Sequence, residues 1–126
     1  DSQLFCSCVR EELAFGPVQM GLKPADIRQR VDDALELLGL TRLASRPPYT
    51  LSGGEKKRTA IASILTMNPQ VWTMDEPESY LDADGLAWLE DFLPSLKAAG
   101  KTLIIASHHA ARLGDLIDKE IVVGDA

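Results

Sequence analysis

The chain has 126 residues, 45% of them hydrophobic and 25% charged, with a formal net charge of −6. That length suits one modest domain with a small core, and the acidic balance disfavours broad nucleic-acid binding, since the chain as a whole gains nothing from phosphate-backbone attraction, while leaving room for a local basic patch. No apolar run approaches the ~18 residues of a membrane-spanning helix, and a start at Asp1 with no signal-peptide pattern is what a fragment of a longer protein would show.

The first segment holds the two cysteines, Cys6 and Cys8. A Cys-x-Cys pair is too close for an ordinary disulfide framework, and no second pair completes a zinc site. A mixed site with His108 and His109 is unlike known zinc spacings, so the expectation is two reduced thiols in a cytosolic protein. Val9 to Phe15 predicts a short helical turn that Gly16-Pro17 stops. Pro24 stands where a helix begins, since its missing N–H costs nothing in the first turn. Ile27, Val31, Leu35 and Leu38 recur at helical spacing and Gly39 ends the run, which predicts an amphipathic helix over 24–38. Arg46-Pro47-Pro48-Tyr49 reads as a stiff loop. A further helix is predicted from about Gly53 to Met67, ended by Asn68-Pro69.

The pattern changes after Pro69. Val71-Trp72-Thr73-Met74 is a short β-favouring run that leads into Asp75-Glu76-Pro77. Leu86, Leu89, Leu93 and Leu96 mark a long helix, which Pro94 is expected to kink or restart. Gly100-Lys101 is the turn out. Thr102 to Ala106 predicts a buried strand, then come Ser107-His108-His109, a short helix from Ala110 to about Leu116, and a third strand at Ile121–Val123. Strand, helix, strand, helix, strand argues for a parallel sheet with crossover helices. The fold class is therefore α/β, with a helical part over 1–69 and a sheet part over 70–126, divided near Asn68-Pro69.

Three stretches carry chemistry. In Leu51-Ser52-Gly53-Gly54-Glu55, Ser52 and Glu55 form a capping box, so a helix starts here with free N–H groups presented. Two glycines leave that backbone bare, and a bare helix N-terminus attracts phosphate; alone, the pattern also fits a merely well-capped helix. The run Val71–Glu76 ends in two carboxylates at the carboxyl end of a strand, where parallel sheets bind ligands. Asp75 there has the chemistry to hold Mg²⁺ and Glu76 to polarise a water, although a solvated acidic turn before Pro77 shows the same pair. His108 follows the next strand and so emerges at the same sheet edge as Glu76, with an imidazole able to bond a phosphate or the attacking water.

In order and spacing, these stretches resemble the nucleotide-binding domain of ABC ATPases. Leu51–Glu55 looks like that family's signature motif, Val71–Glu76 its Walker B strand with the catalytic glutamate, Ser79-Tyr80-Leu81-Asp82 its D-loop, and His108 its switch histidine. The resemblance covers essentially the whole chain. Glu11-Glu12-Leu13-Ala14-Phe15-Gly16-Pro17, preceded by Gln3-Leu4-Phe5, is similar to the stretch after the Q-loop in the energy-coupling-factor and cobalt/nickel importer group.

The resemblance implies a partial P-loop NTPase fold, its residues 70–126 being the C-terminal part of the RecA-like core. It implies ATP and Mg²⁺ as cofactors, a second ABC ATPase subunit and transmembrane subunits as partners, and a cytoplasmic place on the inner face of the membrane. Ser52, Gly53, Gly54, Glu55 and Asp82 then serve nucleotide binding, Asp75 the metal, and Glu76 and His108 catalysis.

The chain also departs from the family. No G-x-x-x-x-G-K-[ST] occurs in it, which removes the main grip on the β/γ-phosphates, so the chain alone is expected to be inactive. Gln3 lies too late to be the Q-loop glutamine. Glu78 and Tyr80 stand where small or hydroxyl residues are usual, Trp72 and Thr73 where aliphatics are usual, and His109 where an acid is common. With the P-loop strand missing, the edge of Thr102–Ala106 is expected to be filled by Ile121–Val123 or by a second copy. The alternatives are a nucleic-acid-linked ABC ATPase and a non-enzymatic remnant or interaction module.

Overall fold

A computed structural model describes residues 8–79, 81–108, 114 and 117–119. Within these, four helices and two strands follow in the order α1 (Val9–Gln19), α2 (Pro24–Leu37), α3 (Gly53–Met67), β1 (Val71–Asp75), α4 (Ala83–Ala98) and β2 (Thr102–Ala106). Short 3-10 turns occupy Thr41–Leu43 and Pro48–Thr50. The chain forms two compact units. One runs to Pro69 and takes in Leu81 and Asp82; the other holds Gln70–Ser79 and the residues from Ala83 on.

The first unit is a helical cluster. Pro24 opens α2 at its first position. A Schellman turn closes it: Gly39 takes φ +68, the Leu40 amide donates to the Leu35 carbonyl at 2.8 Å, and the Gly39 amide donates to that of Glu36 at 3.2 Å. Val31, Ala34 and Leu35 turn inward, as their helical spacing requires. They join Val9, Leu13, Leu38, Leu40, Leu43, Ile61 and Ala62 in the core of this unit.

The expected stop at Gly16-Pro17 does not occur. Helix α1 continues through Pro17 to Gln19. A proline inside a helix leaves the carbonyl four residues earlier without its N–H partner, which here is the carbonyl of Leu13. The hydroxyl of Thr66 on α3 donates to that oxygen at 2.9 Å, and Thr66 is only 1% exposed. The same hydroxyl lies 2.8 Å from the Ser63 carbonyl, so its proton is shared. Gly16 makes the approach possible: a Cβ there would stand 2.6 Å from Cγ and Sδ of Met67. The helices are thus fitted at two adjacent positions, one by absent bulk and one by a replaced hydrogen bond.

In the second unit β1 and β2 pair in parallel, from Val71 opposite Thr102 to Asp75 opposite Ala106. Helix α4 is the crossover between them and runs unbroken through Pro94; no second turn starts there. Its buried face carries Leu89, Phe92, Leu93 and Leu96. Trp72 of β1 is buried and meets Phe92 edge-on, with centroids 5.9 Å apart, while Trp88 stacks on Phe92 at 4.7 Å.

Strand β2 differs from the buried strand expected. Leu103 and Ile105 are half-buried and Ile104 is 57% exposed. The reason is that side chains alternate across a sheet and α4 is the one described helix of this unit, so it covers a single face. The expected helix at 110–116 and third strand at Ile121–Val123 fall outside the described residues, apart from Gly114.

Candidate functional site

The first candidate element is the start of α3. Ser52 is the N-cap: its Oγ accepts from the Glu55 amide at 3.1 Å, and its own amide donates to Glu55 Oε1 at 2.9 Å. The capping box read from the sequence is therefore present in full. The bond from the Ser52 amide holds the Glu55 carboxyl below its ordinary range. Partial burial opposes it, and the Ser52 hydroxyl, Arg46 and Arg42 add to it. Helix geometry leaves the amides of Gly53 and Gly54 with no acceptor inside the helix.

The loop before this start is stiffened by Arg46. Its guanidinium donates to the Thr50 carbonyl at 2.7 Å and the Thr50 hydroxyl at 3.3 Å, and that hydroxyl donates to the Pro47 carbonyl at 2.7 Å. The prolines pre-set φ, and Arg46 closes the turn around them.

The second element belongs to the sheet unit. Asp75 ends β1 and is exposed. Glu76 follows with φ +49, a left-handed conformation that is uncommon and costly for a residue carrying a Cβ. The parallel ladder reaches one residue further, the Glu76 amide donating to the Ala106 carbonyl at 2.7 Å. The amide of His108 then donates to Glu76 Oε2 at 2.8 Å. One residue before His108, the hydroxyl of Ser107 donates to Glu78 Oε2 at 2.5 Å. Glu78 Oε1 is buried with no hydrogen-bond partner among the described residues.

Of the residues singled out in the sequence, the structure brings together Glu76 and His108, with Asp75 on the adjoining strand end. Ser52, Gly53, Gly54 and Glu55 form their own cluster in the helical unit. Asp82 directly precedes α4 in the chain and is exposed. His109 and Cys6 lie outside the described residues, and among the described residues no group of three or more His, Cys, Asp or Glu side chains could hold a metal. The sequence did not single out Ser107 and Glu78 as a pair. Glu78 stood out only as an unusual residue, and nothing in a 29-residue separation marks the contact.

A helical unit followed by a parallel two-stranded sheet, with carboxylates and a histidine at the strands' carboxyl ends, is part of an ABC-type α/β nucleotide-binding fold. A family model described as "ABC transporter" matches residues 2–79, and this chain belongs to that family. The energy-coupling factor transporter ATP-binding protein EcfA of Methanoculleus marisnigri is 46% identical over 131 residues, covering 98% of this chain and 47% of that protein. The nickel import ATP-binding protein LarO of Lactiplantibacillus plantarum is 50% identical over 109 residues, covering 86% of this chain and 45% of that one. Among solved structures, CbiO1 of Clostridium perfringens, part of the ABC transporter complex CbiONQ, matches with a TM-score of 0.71 and 42% identity over 82% of this chain and 42% of that one. The chain spans about half the length of the curated relatives it matches. No described helix is long and apolar enough to cross a membrane.

Proposed function

We propose that this chain is the signature-and-switch half of an ATP-binding subunit that hydrolyses ATP to drive import of a small solute, a metal ion or a vitamin. Two such subunits, alike or different, would face each other and dock on transmembrane subunits at the inner face of the membrane. The observation that carries the reading is the 2.8 Å bond from the His108 amide to Glu76 Oε2. It joins a carboxylate in a strained backbone position to the loop that follows the neighbouring strand and carries His108. Strain of about 1–3 kcal/mol persists where the surroundings enforce it, commonly at functional sites.

The residues present fit the groups this reading needs. The amides of Gly53 and Gly54, at the positive end of α3, suit an anionic γ-phosphate held by the P-loop of a partner. Glu55 is engaged by Ser52, so its role is to keep that helix start open and fixed. Asp75 offers exposed carboxylate oxygen, and Mg²⁺ commonly takes one or two carboxylates together with substrate phosphates and water. When bound, the ion offsets phosphate charge. Glu76 takes the proton of the attacking water, and His108 steadies the transferred phosphoryl group through its ring. Asp82 serves the nucleotide interface ahead of α4. Catalysis of this kind is mostly positioning and electrostatics.

The similarity to EcfA, LarO and CbiO1 supports import over the nucleic-acid-linked alternative. The test places Gly53→Glu in a full-length ATPase containing this half. A carboxylate at the helix start repels phosphate, so turnover is expected to collapse while Mg-ATP binding through the P-loop persists. Near-normal turnover would overturn the assignment. The isolated chain should bind Mg-ATP far more weakly than the full-length protein, and a micromolar Kd by calorimetry would contradict the split-site reading.

A further inference from the structure

We propose that Glu78 is a positioning residue that, through Ser107, fixes the amide holding the Glu76 carboxylate. The inference rests on the reading of Glu76 as general base. The loop after β1 carries Glu76 and Glu78; the loop after β2 carries Ser107 and His108. Backbone pairing between them ends with the bond from the Glu76 amide to the Ala106 carbonyl. Beyond that point side-chain links bridge the loops, among them the His108 amide to Glu76 and the Ser107 hydroxyl to Glu78. Both converge on the single peptide unit joining Ser107 to His108. The Ser107 side chain anchors one end of that unit, and the N–H aimed at Glu76 is its other end. An anchor on Ser107 therefore sets the direction of the His108 N–H.

The link has a cost that a surface turn does not need to bear. Glu78 is half-buried, and its Oε1 is buried without a partner among the described residues. A buried unsatisfied acceptor is destabilising, and its retention calls for a reason. The charge-assisted bond to Ser107 is the short, directional kind that fixes geometry. It also accounts for an acid where the family resemblance leads one to expect a small or hydroxyl residue.

The test uses full-length ATPase carrying Glu78→Ala, Ser107→Ala, both together, Glu78→Gln, and Glu76→Gln as reference. A misplaced catalytic group loses rate more than binding. Each alanine variant is expected to lower kcat roughly 10-fold with KM for ATP within about twofold, and the double variant to be no slower than the singles, because the residues act as one unit. Glu78→Gln keeps an acceptor oxygen and is expected to recover most of the rate. Unchanged kcat in the alanine variants, with Glu76→Gln still inactivating, would overturn this proposal alone; losses that multiply in the double variant would do the same. Normal turnover in Glu76→Gln would remove the general base itself and this proposal with it. If Glu78→Ala does not fold, Ser107→Ala, the smaller change, decides the matter by the same split of kcat from KM.

Discussion

Replacing Thr66 with Val should weaken the helical unit by an amount that depends on Pro17. Val keeps the β-branched shape and removes the hydroxyl. The Leu13 carbonyl then loses its 2.9 Å donor at a site where Thr66 is 1% exposed and Leu13 fully buried. A buried acceptor left without a partner costs about 1–3 kcal/mol. The methyl that takes its place returns about 0.8 kcal/mol through apolar burial, so a net loss of roughly 0.2–2 kcal/mol is expected. Urea unfolding measures it as a lower midpoint at an unchanged slope. Pro17→Ala supplies the missing helical N–H to the same carbonyl. In that background Thr66→Val should cost clearly less, giving a coupling of about 0.5–1.5 kcal/mol in the double-mutant cycle. Equal losses with and without Pro17 would refute the view that the hydroxyl substitutes for the proline's missing donor.

Two further outcomes follow from the same helices. Gly39→Ala should destabilise by about 1 kcal/mol, since φ is +68 and the nearest atom to an added Cβ, Arg58 Nη1, is at an ordinary 3.6 Å; the cost is backbone strain, read from the unfolding midpoint. The capping box should carry a pH signature. The carboxyl of Glu55 is held below its ordinary value of 4.5, first by the Ser52 amide, so the folded state binds this proton less readily than the unfolded one. Its contribution is present above the ordinary carboxylate range and is lost as pH falls through and below it. Glu55→Gln should flatten that acid limb of stability against pH, and an unchanged limb would show that Glu55 is not its source.

The features legible in the sequence are those set by local chemistry. Pro24 and Gly39 bound α2, and Ser52, Glu55 and Asn68 bound α3, because caps act within a few residues of where they stand. The paired strands and the crossover α4 followed from apolar runs and their spacing. The error at Gly16-Pro17 had a distant cause: the donor that lets α1 continue is Thr66, 53 residues from Leu13. The exposure of Ile104 was equally hidden, since an apolar strand does not say how many faces will be covered. In the candidate site, Glu76 and His108 were legible as ends of adjacent strands. The bond between them, the left-handed turn at Glu76 and the link from Ser107 to Glu78 depend on loop conformation, which has no periodic signal.

The central claim is that Glu76 is the general base of an ATPase site completed by a partner. Turnover of the full-length protein carrying Glu76→Gln tests it most directly. The change keeps the shape and removes the base. Loss of a well-placed general base lowers the rate by ~10²–10⁴-fold. The account predicts a loss of that size, with an ATP-bound dimer accumulating on size-exclusion chromatography. Turnover near that of the unaltered protein, with no accumulated dimer, would contradict it.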